Sequence, residues 1–325
     1  MKLGTRGSQL ALWQARAVAS RLEALGHEVD MVIVKTIGDR LQDAPLSEAG
    51  GKRLFVKDLE DALLQGQIDL AVHSAKDLPA IPDGLTIAAA LPREDPRDAL
   101  VVAPHRSTLD LPGILSAFAS GALRTVGTSS VRRVAQLSPQ MPGASFSPAR
   151  GNVDTRLRKV DGGEFDAIVL ACAGLRRLGL DNRISAALPV ERCVPAPGQG
   201  IVAIETRADD AALNATLRSI HDEATGTVLA AERSLVEALG GDCRIPLGAL
   251  ARLNGAGIEM EAIVCSLDGH RILRRHSRGS AAHPEVLGRR LADALVMAGG
   301  TDILDEVRNH LQRAGSPGRE HTGGP

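Results

Sequence analysis

Aromatic side chains are almost missing from this sequence of 325 residues, which has no tyrosine, one tryptophan and four phenylalanines. Because single-stranded nucleic acids are held largely by stacking of their bases on aromatic rings, this scarcity argues against such binding. A strong net charge is missing as well, since 38 lysines and arginines stand against 39 aspartates and glutamates. We therefore expect no nucleic-acid partner and no attraction to an acidic surface.

Cysteine is scarce, and its spacing shows no C-x-x-C pair and no histidine at zinc-ligand distance. The pattern excludes the sequence signatures of a zinc site and of a disulfide framework, and we expect no metal. No run of eighteen apolar residues is present, and no apolar segment follows Met1. From this we expect a cytoplasmic protein with reduced thiols and without a membrane partner.

The apolar pattern alternates between the periods of strands and helices. Apolar residues recur at helical spacing between Ala11 and Leu25 and predict one face of a helix, for which Ser8 is a suitable N-cap. The strand predicted at 29–36 is so continuously apolar that we expect it inside a buried parallel sheet. Strands alternating with helices in this way predict an α/β fold built in layers.

Two segments rich in proline, 92–98 and 194–200, interrupt this pattern and are typical of crossings between domains. Because an apolar run follows the second crossing, we expect the chain to return to the first lobe and add a strand. The predicted fold is α/β, with two lobes around a hinged cleft and a third, small α+β domain. The predicted limits are 1–93 plus 194–212 for lobe one, 97–190 for lobe two, 215–311 for the third domain and 312–325 for a disordered tail.

One cysteine, Cys243, lies in a segment that favours a turn. Gly240, Gly241 and Asp242 lead the chain out of a helical run, and Pro246 prevents its return to helix. A lone cysteine is most often a small buried hydrophobic residue. The polar and glycine neighbours of Cys243 instead favour an accessible thiol that takes part in chemistry.

Polar clusters follow the predicted strands of both lobes, at the edge where open α/β sheets bind ligands. They combine small residues at helix starts with arginines, and this combination binds anions and grips carboxylates through paired hydrogen bonds. An arginine pair such as Arg132-Arg133 is, on its own, more often a solvated surface feature. Asp77 is equally compatible with a turn, and His73 is interpreted as a strand-end histidine without a role. The clusters lie at 5–8, 73–79, 127–133 and 150–156, and a further arginine pair lies at 176–177.

The ordered set of motifs resembles the porphobilinogen deaminase family, also called the hydroxymethylbilane synthases. Its blocks run from residue 1 to about residue 311 and include R-G-S-x-L-A-L-W-Q-A, H-S-A-K-D-L-P, G-T-S-S-x-R-R, R-G-N-V-x-T-R-L and P-A-x-G-Q-G. Any one block is weak evidence, whereas the whole set in this order is specific. The resemblance implies two lobes like those of periplasmic binding proteins and a third domain that carries a cofactor cysteine.

The resemblance also implies an activity. Four porphobilinogen molecules are joined, with loss of ammonia, onto a dipyrromethane that Cys243 holds through a thioether, and water then releases hydroxymethylbilane. Asp77 matches the catalytic carboxylate of the family, and we expect a monomer. The residues that match cofactor- and substrate-binding positions are Arg6, Ser8, Lys76, Thr128, Ser129, Ser130, Arg132, Arg133, Arg150, Arg156 and Arg177, with Asp39, Lys52 and Phe55 as further candidates.

The chemistry accounts for these residue types. Loss of ammonia from an aminomethylpyrrole leaves a cation that a carboxylate can stabilise while it also handles protons. Each added ring brings an acetate and a propionate, which explains the many arginines in a chain without net positive charge. The turn departs from the E-G-G-C often found in the family, because Asp242 directly precedes Cys243. We expect this carboxylate to slow attachment of the cofactor, partly offset by Arg244.

Two other classes of protein remain open on sequence grounds. A carboxylate or oxyanion receptor would have the same lobes and the same arginine-lined helix starts, although it has no need of a turn cysteine. An acyl-transfer enzyme with a cysteine nucleophile needs a histidine that activates Cys243, and none lies nearby in the sequence.

Overall fold

The computed structural model describes residues 1–35, 56–240 and 245–314 of the chain. Within these ranges, the strands form two five-stranded sheets and one three-stranded sheet. Each five-stranded sheet is the centre of an α/β lobe, and the three-stranded sheet belongs to a smaller α+β unit. The predicted fold class is therefore confirmed.

Lobe one contains β1 (Lys2–Thr5), β2 (Asp30–Ile33), β3 (Leu70–Ser74), β4 (Leu85–Ala90) and β10 (Val202–Arg207). Their order in the sheet is β2-β1-β3-β10-β4, and β10 runs antiparallel to both of its neighbours. The chain thus leaves this sheet and returns to add a strand, as the apolar run after the second crossing predicts. The helices of the lobe are α1 (Gln9–Glu23), α2 (Lys57–Leu64) and α7 (Ala211–Arg218).

Helix α1 begins where its sequence predicts. The Ser8 hydroxyl accepts a hydrogen bond from the backbone N–H of Ala11 at 3.3 Å and so caps the helix. Its apolar face is buried from Ala15 to Leu22. Leu25 was predicted to lie on the same face, but it is 50% exposed because the helix ends at Glu23.

Strand β2 departs from its prediction. It forms an edge of the sheet, and Ile33 at its end is 55% exposed. The expected parallel pairing is present, because β2 runs parallel to β1. The expected burial is wrong, because no other strand in the described ranges pairs with β2 and none of its residues is fully buried. A continuously apolar sequence indicates that a strand favours burial, but it does not indicate how many neighbours the strand has.

Lobe two contains β5 (Asp98–Val102), β6 (Thr125–Gly127), β7 (Ser145–Ser147), β8 (Ala167–Ala171) and β9 (Ala186–Ala187), in the order β7-β6-β8-β5-β9. Its helices are α3 (Leu111–Ala119), α4 (Val131–Leu137), α5 (Val153–Asp161) and α6 (Cys172–Arg177). The parallel strands β6 and β8 are followed by α4 and α6. Since parallel strands end at the same edge of a sheet, the starts of these two helices meet there.

The third unit is an antiparallel sheet of β11 (Leu247–Asn254), β12 (Gly257–Cys265) and β13 (Ile272–Ser280). Its helices are α8 (Glu223–Ala238), α9 (Pro284–Leu295) and α10 (Thr301–Ala314). Helix α10 continues past residue 312, where the tail was predicted to begin, and the rest of that prediction lies outside the described residues. None of the helices in the described ranges combines the length and the apolarity needed to cross a membrane.

The core of the third unit is continuous with lobe one. Ala75 and Leu78, which follow β3, belong to the same buried cluster as Leu235, Met260 and Leu291 of the third unit. The short segment between these two lobe-one residues is therefore anchored at both ends by hydrophobic packing.

Candidate active site

A cavity of about 810 Å³ lies between the two lobes and is bounded on one side by α8 of the third unit. Its walls come from the start of α1, the end of β3, the starts of α4, α5 and α6, and the second crossing. Most of the predicted site residues meet here. Those that line the cavity are Arg6, Ser8, Lys76, Asp77, Ser129, Ser130, Arg132, Arg133, Arg156 and Arg177.

The other predicted residues have different positions. Thr128 does not line the cavity; it is buried, and its hydroxyl accepts a hydrogen bond from Ser130 N at 3.2 Å, which supports the turn into α4. Arg150 is also absent from the described part of the cavity wall. Cys243 lies outside the described residues, as do Asp39, Lys52, Phe55, Asp242 and Arg244.

Asp77 is presented by a rigid turn. Residues Ala75–Asp77 form one turn of 3₁₀-helix directly after β3, and Ala75 N donates to the carbonyl oxygen of Ile201 at 3.0 Å. The buried side chains of Ala75 and Leu78 hold this turn from both ends. The carboxylate of Asp77 consequently faces the cavity from a fixed backbone.

Arg156 brings a poorly compensated positive charge to the cavity. Its Nε donates to the carbonyl oxygen of Gly151 at 2.8 Å, and it forms no ion pair with the described residues. Removal of water by the surrounding protein, together with repulsion from Arg133, lowers the pKa of Arg156 to about 10, although attraction to Asp77 opposes this shift. An anionic ligand would supply the missing counter-charge.

Arg177 resembles Arg156 in this respect. Its Nη2 donates to the carbonyl oxygen of Gly200 at 2.6 Å, and its guanidinium lies 5.5 Å from the centre of the Trp13 ring. Desolvation lowers the pKa of Arg177 to about 10, although attraction to Glu94 opposes this shift. Trp13 belongs to lobe one and Arg177 to lobe two, so this contact also joins the lobes.

Arg132 and Arg133 are buried, being 4% and 6% exposed, so this pair is not a solvated surface feature. Both hold one carboxylate: Arg132 Nη1 lies 2.8 Å from Asp98 Oδ2, and Arg133 Nη2 lies 2.7 Å from Asp98 Oδ1. Arg132 also donates to the carbonyl oxygen of Val194, and Arg133 to that of Val169, both at 2.7 Å. Although burial opposes ionisation, the two arginines hold the pKa of Asp98 well below its usual range.

Sequence reasoning missed Asp98, and also Glu232. The Glu232 carboxylate is fully buried, lies 2.6 Å from Arg93 Nη1, and accepts from Gly198 N at 2.6 Å and from Ala251 N at 2.8 Å. It thus ties both crossings to the third unit. The sequence did contain a sign of each residue. Asp98 stands at the start of an apolar strand, and Glu232 lies within a largely apolar helical run.

The three cysteines that the structure describes are buried, and burial raises the pKa of Cys172, Cys193 and Cys265 to about 12. At pH 8, only about one such thiol in ten thousand is ionised, and the thiolate is the reactive form. We expect that folded Cys243→Ser protein, which retains these three thiols, gains no mass from iodoacetamide. Unfolding in urea should allow three additions, whereas rapid alkylation of the folded variant would contradict the burial of these thiols.

The fold and the cavity define a two-lobed α/β protein with an arginine-lined interlobe cleft and a third α+β unit beside it. Residues 1–215 match the family model described as the porphobilinogen deaminase dipyrromethane cofactor binding domain, and residues 227–297 match the porphobilinogen deaminase C-terminal domain. The chain therefore belongs to the porphobilinogen deaminase family, the hydroxymethylbilane synthases of tetrapyrrole biosynthesis. The resemblance found in the motifs is confirmed, and the receptor and acyl-transfer alternatives are set aside.

Relatives of similar length support the same membership. The chain is 46% identical over 312 residues to the porphobilinogen deaminase of Acidithiobacillus ferrooxidans. This match covers 95% of this chain and 98% of the relative. It is 45% identical over 311 residues to that of Syntrophomonas wolfei, covering 95% of this chain and 99% of the relative.

Likeness to solved structures is weaker. The VFT2 domain of Bordetella pertussis BvgS is 16% identical with a TM-score of 0.38, and the match covers 68% of this chain and 85% of that domain. Immunogenic lipoprotein A from Vibrio vulnificus is 13% identical with a TM-score of 0.39, covering 70% and 97%.

Proposed function

We propose that this hydroxymethylbilane synthase condenses porphobilinogen in the cleft between its lobes, with Asp77 as the catalytic carboxylate. Cys243 is the attachment site of the dipyrromethane through a thioether in this proposal. The same proposal includes a cytoplasmic monomer. Its main support is that Asp77 shares one cavity with Arg156 and Arg177, whose charges lack an ion-pair partner among the described residues.

The donor set of the cavity fits the dipyrromethane. Each of its rings carries two carboxylates, and the cavity offers guanidinium groups of Arg6, Arg156 and Arg177 together with the ammonium of Lys76. The desolvation that lowers the pKa of Arg156 and Arg177 would be offset by carboxylates placed against them. A small apolar ligand would not provide this compensation.

The chain's residues divide the work between binding and proton handling. When bound, the dipyrromethane supplies the free pyrrole position to which the next ring is joined. Asp77 holds the protonated amine of porphobilinogen, and its negative charge then stabilises the substrate cation that remains when ammonia leaves. The same carboxylate can accept the proton that the new bond displaces. Arg156 and Arg177 keep the acetate and propionate of the reacting ring in place.

Arg132 and Arg133 are proposed to bind carboxylates from a preset position. Asp98 fixes both guanidinium groups at the cavity wall before any ligand arrives. Among the described contacts, Arg132 donates through Nη1 alone, which leaves its Nε and Nη2 for a ligand. An arginine held in this way loses little side-chain entropy when it binds.

The proposal is tested by comparing two arginines of helix α5. Arg156→Gln should lower kcat/KM for porphobilinogen by roughly tenfold to a hundredfold, including through a higher KM. The reason is that a charge-assisted hydrogen bond contributes about 1.5–3 kcal/mol. Arg158→Gln is the matched control, since the Arg158 side chain is 73% exposed and does not line the cavity. Steady-state kinetics of both variants decide the matter. Equal kcat/KM in the two would remove Arg156 from its proposed role.

A further inference from the structure

The second crossing lies directly behind the turn that carries Asp77. Gly198 has a φ of 72°, and a Cβ at this position would lie 3.0 Å from the carbonyl carbon of Ala75 and 3.0 Å from Lys76 N. Ile201, which follows the crossing, accepts the backbone hydrogen bond from Ala75 at 3.0 Å. The crossing therefore supports the turn through close backbone packing and not only through its covalent connection to lobe one.

The side chain of Gln199 extends this support into lobe two. It is 1% exposed, and its Oε1 accepts a hydrogen bond from Lys76 Nζ at 3.3 Å. Its Nε2 donates to the carbonyl oxygen of Pro96 at 2.7 Å and to Asp98 Oδ1 at 2.9 Å. The carbonyl end of the amide thus meets a cation, and its NH₂ end meets an anion and a carbonyl group.

The Gln199 amide satisfies all three partners at once. A glutamate would keep the acceptor for Lys76 but would lose both donated hydrogen bonds and place a second buried carboxylate beside Asp98. A methionine would fill the same space without any of these bonds. The amide joins the residue next to Asp77 to the carboxylate that holds Arg132 and Arg133.

We propose that Gln199 is a positioning residue of the condensation reaction. It fixes the Asp77 turn relative to Asp98, which holds Arg132 and Arg133. The catalytic carboxylate therefore keeps a constant distance from these two arginines, which are proposed to bind carboxylates. This inference rests on the proposed roles of Asp77 and the arginines. Gln199, a residue of the second crossing, thereby affects the rate of the chemical step although it performs no chemistry itself.

Gln199→Met tests this inference, with Gln136→Met as the matched control. Gln136 is also a buried amide, being 5% exposed, and it does not line the cavity. Its partners are backbone groups: Nε2 donates to the carbonyl oxygens of Val194 at 3.1 Å and Arg132 at 3.3 Å, and Oε1 accepts from Val194 N at 2.7 Å. Both variants should melt at a lower temperature than the wild type. Active sites are counted by intact mass, as the fraction of chains that carry the dipyrromethane.

In Gln199→Met, kcat per loaded chain should fall about tenfold, because a small displacement of Asp77 slows the chemical step. KM should change by less than about threefold, since Arg156 and Arg177 keep their own contacts. In Gln136→Met, kcat per loaded chain should equal that of the wild type. An equal kcat per loaded chain in the two variants, or a loss confined to KM in Gln199→Met, would overturn the inference.

Gln199→Glu provides a second test if the methionine variant does not fold. It should also lose at least about tenfold in kcat per loaded chain, because the donors toward Asp98 are gone; wild-type kcat in this variant would overturn the inference. Failure of the underlying proposal has a different signature, namely full turnover by Asp77→Ala. Normal kcat in the Gln199 variants together with an inactive Asp77→Ala would remove the role of Gln199 alone.

Discussion

Replacing Asp77 by alanine is expected to lower kcat for porphobilinogen consumption by about 10²–10⁴-fold, the usual contribution of a positioned acid or base. The physical reason is that Asp77 is the carboxylate that the turn after β3 presents to the cavity, whereas most other charged side chains of the wall are cationic and repel a developing cation. The fold should survive, because the turn is held by Ala75 and Leu78 and by the backbone bond to Ile201. Far-UV circular dichroism and thermal melting check this part of the expectation.

Asp77→Asn separates charge from shape. The amide has the size of the carboxylate but can neither stabilise a cation by charge nor accept a proton, so it should be nearly as inactive as alanine. Asp83→Asn is the matched control, since Asp83 is exposed in the same lobe and does not line the cavity. Turnover by Asp77→Asn within a few-fold of that control would remove Asp77 from catalysis.

Replacing Asp98 by asparagine should produce a large loss in the free energy of unfolding. The carboxylate is fully buried and faces two buried guanidinium groups, and removal of one partner from such a cluster typically costs about 3–5 kcal/mol. Urea unfolding should show this as a lower midpoint relative to Asp181→Asn, an exposed position in the same lobe. A shift of less than about 1 kcal/mol would mean that Asp98 does not hold the pair in the folded protein.

The same cluster predicts how acid affects stability. The pKa of Asp98 is lower in the folded protein than in the unfolded chain, where it is about 3.9. The folded state therefore binds this proton less readily, so Asp98 stabilises it fully above about pH 4 and progressively less as the pH falls further. The difference in unfolding free energy between wild type and Asp98→Asn should consequently shrink between about pH 4 and pH 2.

Much of the fold follows from local sequence patterns. Ser8 and Ser130 cap their helices because a hydroxyl at that position can reach the free backbone N–H groups, and the sequence shows this directly. The return of β10 to lobe one follows from an apolar run placed after a rigid crossing. The edge position of β2 could not be predicted in the same way, because composition does not specify strand order.

The meeting of polar clusters at one cavity was predictable as well, since strand ends in an open sheet share an edge. The ion-pair partners of the individual charged side chains were not predictable. Arg132 and Asp98 lie 34 residues apart in sequence, and only the tertiary structure makes their side chains neighbours. The P-A-x-G-Q-G motif marked Gln199 as part of the family, but nothing local indicated that its amide reaches both Lys76 and Asp98.

The central claim is that this chain builds its own primer on Cys243, and the intact mass of protein purified from cells tests it most directly. We predict a wild-type mass that exceeds the sequence mass by two pyrrole units. The addition should be retained in Cys265→Ser, whose cysteine is buried, and absent in Cys243→Ser. An unmodified wild-type protein without deaminase activity would contradict the account.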